Sequence, residues 1–112
     1  MGILDITNSY AGWLTLWLEP LGEDRWLRPG ETFRIRSDYD GEERDFVVDF
    51  WVDDEDRAAG IANVTVSIER GNPDAEVTDD NGGLVECGHQ RPPEIDQKWA
   101  KAREKWERRA TP

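Results

Sequence analysis

Cysteine is almost missing from this chain of 112 residues: Cys87 stands alone, so no intrachain disulfide can form. That excludes the cross-linked framework of small secreted domains and sets a reducing, cytoplasmic location as the expectation. Long apolar runs are missing too, and no stretch approaches the ~20 apolar residues of a membrane span. Residues 1–12 carry neither the basic start nor the apolar core of a secretory leader. Met1-Gly2 opens like a myristoylation signal, but Ile6 stands where that signal needs Ser or Thr. A soluble chain with no membrane partner is therefore expected. Histidine is equally scarce, with His89 the single example.

Charge and tryptophan are what the chain has in quantity. Twenty-five acidic residues oppose 14 basic ones, for a net charge of −11. In the tail, Lys98, Lys101, Arg103, Lys105, Arg108 and Arg109 face only Glu104 and Glu107, so the tail carries +4 and residues 1–97 carry −15. A body of that sign repels phosphate and steers basic proteins toward itself, so no nucleic-acid partner is expected. Six tryptophans and a hydrophobic content of 37% are too much apolar material for a disordered chain. Arginine outnumbers lysine 11 to 3, a usage in keeping with a GC-rich bacterial or a halophilic source.

Period-2 alternation broken by Gly, Pro, Asn and Asp predicts a mainly β chain. The expected runs are residues 3–7, 13–19, 25–28, 31–37, 44–53 and 61–69, with a weaker pair at 75–78 and 84–87 around the Asn81-Gly82 turn. Leu14, Leu16 and Leu18 would face a core, as would Phe46, Val48, Phe50 and Val52, and Ala62, Val64, Val66 and Ile68. After Pro92-Pro93 the period changes: Ile95, Trp99, Ala102 and Trp106 recur at helical spacing. Glu94–Lys98 and Glu104–Arg108 are spaced as i,i+4 pairs along that helix. The fold class expected is an antiparallel β-sandwich or small barrel of six to seven strands with one C-terminal α-helix. Residues 1–91 would form the acidic β domain and residues 92–112 an amphipathic helix packed on it or on a partner.

Catalytic and metal-binding patterns find little support. Asp38, Asp40 and Glu42 alternate like the start of a calcium loop, but Gly41 falls at position four where that loop needs position six. The run Asp53, Asp54, Glu55 and Asp56 reads as solvated acids in a hairpin loop. Cys87 and His89 have no further soft ligand with which to build a zinc site. Neither a nucleophile elbow nor a glycine-rich phosphate loop occurs, and 25 acids single out no carboxylate pair for glycoside hydrolysis. No enzyme activity, metal or cofactor is expected.

The tryptophans carry more. Trp13 and Trp17 face away from the leucines of their strand, and Trp51 with Val47 faces away from Phe50. On neighbouring strands they would make an aromatic patch rimmed by Glu19, Asp49 and Asp53, and a contiguous exposed patch needs a cover. One cover is the chain's own helix, laying Ile95, Trp99 and Trp106 across it. A second is a partner protein or a homodimer, tryptophan being an interface anchor. A third is a sugar ring stacked on the indoles.

The stretch "TNS…LTLWLEPLGEDRWLRPGETFRI", residues 7–36, resembles the front of small bacterial β-sandwich proteins of uncharacterised function, in which an "EP-x-G" corner and a "PGE" turn punctuate the strands. The resemblance implies a β-sandwich and no catalytic or ligand residue; the tryptophan-bearing helix lies outside it. The function expected is that of a non-enzymatic acidic domain that binds a protein with a basic surface, such as an inhibitor or immunity protein, with DNA mimicry a narrower form. A carbohydrate-binding module or small hydrolase, and a structural or assembly subunit such as one from a phage, are the alternatives. The candidate interaction residues are Trp13, Trp17, Asp49, Trp51, Asp53, Trp99 and Trp106.

Overall fold

The computed structural model describes residues 2–110; residues 1, 111 and 112, the outer ends of the two expected segments, lie outside it. Most of the alternating runs become strands: β1 (Gly2–Thr7), β2 (Trp13–Glu19), β3 (Glu23–Leu27), β4 (Thr32–Ser37), β5 (Phe46–Trp51), β6 (Ile61–Ile68) and β7 (Glu76–Thr78). Two helices accompany them, α1 (Asp54–Ala58) and α2 (Pro93–Ala110). The strands form two sheets, one ordered β1-β4-β7 and the other β3-β2-β6-β5, and neither is closed. No helix among the described residues is long and apolar enough to cross a membrane.

The shared core follows the alternation. Leu14, Leu16 and Leu18 of β2 and Val64, Val66 and Ile68 of β6 meet Ile6, Phe33, Ile35 and Val77 of the smaller sheet in one buried cluster. Apolar burial of this kind supplies the main drive to fold. The expectation of a wholly antiparallel arrangement is corrected at its centre, because β2 and β6 run parallel, from Trp13 opposite Ile61 to Glu19 opposite Ser67. Glycines permit the close start of that pairing. The Gly60 carbonyl accepts from the Trp13 amide at 2.9 Å, and a Cβ on Gly12 would lie 2.1 Å from the same oxygen. Gly60 itself has φ +75°, a region that a side chain disfavours.

Three further expectations are corrected, and Arg25 is a buried cation on which the alternation is silent. Residues 54–58 are not an open loop: Asp53 caps α1 by accepting from the Asp56 amide at 2.7 Å, with Asp54, Glu55 and Asp56 in the first turn. Acids at a helix N-terminus are favourable, which is why this run winds. Residues 84–87 form no full strand, and only a Thr78–Leu84 bridge and the Val85 amide to Val77 carbonyl bond hold them to β7. Arg25 points inward, opposite Leu16, and stays buried because its Nε donates to the Val85 carbonyl at 2.7 Å while its guanidinium meets Glu23 at 3.2 Å. Finally, Val48, Phe50 and Val52 do not join the core: they are 37%, 69% and 40% exposed. The larger sheet has one strand more than the smaller. Phe46 still packs against the core beneath β1, and beyond it the edge strand β5 runs past its cover.

This burial pattern fixes an order of stabilities. Leu16→Ala is expected to cost about 3 kcal/mol or more, while Phe50→Ser is expected to change stability by about 0.5 kcal/mol or less. Urea unfolding of the two variants checks both figures.

Candidate functional site

Asp24 organises the side of the larger sheet that faces away from the core. Its carboxylate accepts from Arg91 twice, from Nε at 2.8 Å and from Nη2 at 2.5 Å, and from the Trp26 indole at 2.6 Å. Its backbone carbonyl accepts from the Gly88 amide at 2.6 Å. Burial pushes the Asp24 carboxyl up, and the bonds from Arg91 and Trp26 outweigh that and hold it below its ordinary 3.8. Arg91 also meets Asp96 at 2.9 Å and is held more basic than usual by Asp24 and then Asp96. The segment before α2 is therefore tied to β3 by a charged, two-pronged contact.

From that anchor the first half of α2 lies over the outer face of the larger sheet. The Arg91 guanidinium stands 4.9 Å from the Trp99 ring, and Trp99 in turn packs on Trp17 with centroids 5.8 Å apart. Lys98 pairs with Glu55 of α1 rather than with Glu94, and that hydrogen bond raises its basicity. Strand register lines up Trp26, Thr15, Asn63 and Trp51 in one row beneath the helix. Asn63 accepts from the Trp17 indole at 3.0 Å and donates to Asp56 at 2.8 Å, while the Trp51 indole donates to Thr65 at 2.8 Å. Between this row and the roof of Ile95, Lys98 and Trp99 lies a cavity of about 200 Å³. The Thr15 hydroxyl, at its floor, is buried with no hydrogen-bond partner among the described residues.

The second half of α2 leaves the sheet. Every residue from Lys101 to Arg109 is exposed, and Trp106 is 70% exposed. At the other edge, β5 offers Val48, Phe50 and Val52 to solvent, with Trp51 partly exposed on the opposite face. Asp45, Asp49, Asp53, Asp54 and Glu55 lie within or beside this segment.

The sequence-derived candidates thus separate. Trp17, Trp51 and Trp99 share the cavity with β6 lying between β2 and β5, so the aromatic patch conditional on neighbouring strands is split by one strand. Trp13 is elsewhere, edge-on to Trp26 at 6.0 Å and under Arg28 at 5.9 Å. Asp49 is exposed on the β5 edge, Asp53 caps α1, and Trp106 takes no part in the cover expected of it. Sequence reasoning missed Thr15, Asn63 and Asp56, whose signal was a polar pair at matched positions between tryptophans, and it placed Phe50 in the core. The Cys87 thiol approaches Asp24 at 3.8 Å, and the His89 imidazole meets Phe33 edge-on at 5.6 Å. Among the described residues no three metal-ligating side chains cluster. Comparison with family models, with curated proteins and with solved structures finds no match in any of the three.

Two predictions follow the anchor outward. Asp24→Asn is expected to cost about 3 kcal/mol at neutral pH, because it removes the buried charge and leaves Arg91 the exposed Asp96 as its carboxylate partner. Because the folded carboxyl lies below 3.8, the stabilisation is present above about pH 4 and is lost as pH falls through the folded value, so the variant should lose less stability than the parent on acidification. Denaturant unfolding at pH 7, 5 and 3 checks both. Trp99→Ala should cost about 2 kcal/mol and Trp106→Ala about 0.5 kcal/mol or less, read by thermal unfolding.

Proposed function

We propose that this chain is a non-enzymatic acidic β-sandwich domain that binds a basic protein surface through the face and free edge of β5. The observation that carries the reading is Phe50, 69% exposed beside Val48 and Val52 on an edge strand flanked by acids. Exposed apolar edge strands invite pairing, and proteins normally blunt them with charge. Here acids predominate near the patch, with Asp45, Asp49, Asp53 and Asp54 against Arg44 and Arg57, and that excess selects against acidic neighbours and steers basic ones. Phe50 is the anchor, and the acids set orientation and rate.

An inhibitor or immunity protein that covers a basic active site in the cytoplasm is the concrete form of this reading. Phe50→Ser keeps the fold while removing the anchor, so it separates specific docking from general charge attraction. Immobilised parent and variant chains are exposed to the same soluble proteins at low and high salt. The parent should retain basic proteins at low salt, with loss at high salt, and Phe50→Ser should weaken that retention about tenfold or more. Equal retention by both chains, or retention of acidic proteins by the parent, overturns the reading.

A further inference from the structure

We infer that the cavity under α2 is a binding site for a single uncharged sugar ring of the hexopyranose class. This inference is independent of the β5 reading.

Shape comes first. The cavity, about 200 Å³, slightly exceeds the ~150 Å³ in which an engineered protein cavity holds a six-membered ring. Its base is a row across four strands: an indole at each end, Trp26 and Trp51, and two polar side chains, Thr15 and Asn63, between them. Three strand spacings separate the end positions, roughly 14 Å between backbones, which leaves a slot for a ring lying over the polar pair. Trp17 and Trp99 close it from the side and above. Flat apolar walls with a few placed polar groups are the general form of a small-molecule site.

Polarity decides the ligand class. The Thr15 hydroxyl is fully buried and unpartnered, and a buried hydroxyl in such a place is satisfied by a group that both donates and accepts. Asn63 uses one lone pair for Trp17 and one N–H for Asp56, which leaves it one further acceptor site and one further donor. Asp56 brings a carboxylate that accepts from hydroxyls. An anion is disfavoured by that carboxylate and by the −15 body. A cation, which indole faces also attract, offers no acceptor, so it would leave the buried Thr15 hydroxyl with nothing to donate to. What remains is a neutral ring with an apolar C–H face for indole and hydroxyls for Thr15, Asn63 and Asp56.

The full chain is titrated with the methyl glycosides of glucose, galactose, mannose and N-acetylglucosamine, each to about 100 mM, a hundredfold above a ~1 mM Kd. Indole N–H resonances are followed by NMR. At least one glycoside should move the Trp17 and Trp51 signals saturably and leave Trp106 in place. Thr15→Val keeps the side-chain shape and removes the orphan hydroxyl, so its melting temperature should stay level or rise while glycoside binding weakens about tenfold. Phe50→Ser should bind the glycoside as the parent does. The inference is overturned if no glycoside moves these signals, if Thr15→Val binds as tightly as the parent, or if Thr15→Val lowers the melting temperature by several degrees, which would mean that the hydroxyl serves the fold.

Discussion

The contact between Asp24 and Arg91 is the constraint on which the placement of α2 over the larger sheet depends. A carboxylate on the outer face of β3 is buried only because Arg91 and the Trp26 indole satisfy it. In doing so it fixes where the chain enters α2, since Asp96 in the first turn holds the same arginine. The guanidinium then lies against Trp99, and Trp99 against Trp17. One charged pair thus propagates through two ring contacts to set the height of the roof over the sheet. Without it the helix would hold the sheet through Ile95, Trp99 and the exposed Lys98–Glu55 pair, and exposed pairs hold little.

A second constraint is arithmetic of strands. The larger sheet has four strands and the smaller three, and one strand of the larger is left short of cover. The uncovered strand is β5, whose sequence FVVDFW is apolar on both faces, and the neighbouring acids keep it in solution. The same strand therefore serves two surfaces: Val48 and Phe50 look toward the side where the smaller sheet ends, and Trp51 looks toward the cavity. These surfaces are separated by the thickness of a sheet, so occupation of one need not disturb the other.

Much of this was legible in residue order, and the exceptions have physical causes. Alternation in residues 13–19 and 61–68 placed Leu14, Leu16, Leu18, Val64 and Val66 correctly because each faces a complete opposing layer. The same alternation misled at Phe50, because period alone says which residues share a face and nothing about whether that face has a partner. Parallel pairing of β2 with β6 is a non-local choice that no short pattern records. The one-turn α1 was written in its acids, since Asp53 as a cap and three following acids suit a helix start, but a five-residue helix is too short for periodicity to reveal. For the cavity, the tryptophans were visible and the polar floor was not: Thr15 and Asn63 become a pair only when two strands 48 residues apart align.

The helix α2 shows why net charge describes this molecule poorly. From Lys98 to Arg109 the axis runs roughly 16 Å at 1.5 Å per residue, about twice the ~8 Å screening length of physiological salt. The basic tip and the acidic body are therefore felt as separate charges rather than as −11 at a point. A basic protein approaching the tip is repelled by it and is drawn instead toward the acids around β5 and α1. The exposed Trp106 sits on a repelling arm and the exposed Phe50 on an attracting edge, so Phe50 is met first. Segregating the two charges thus gives the approach a direction, and the direction leads to the strand that the fold leaves uncovered.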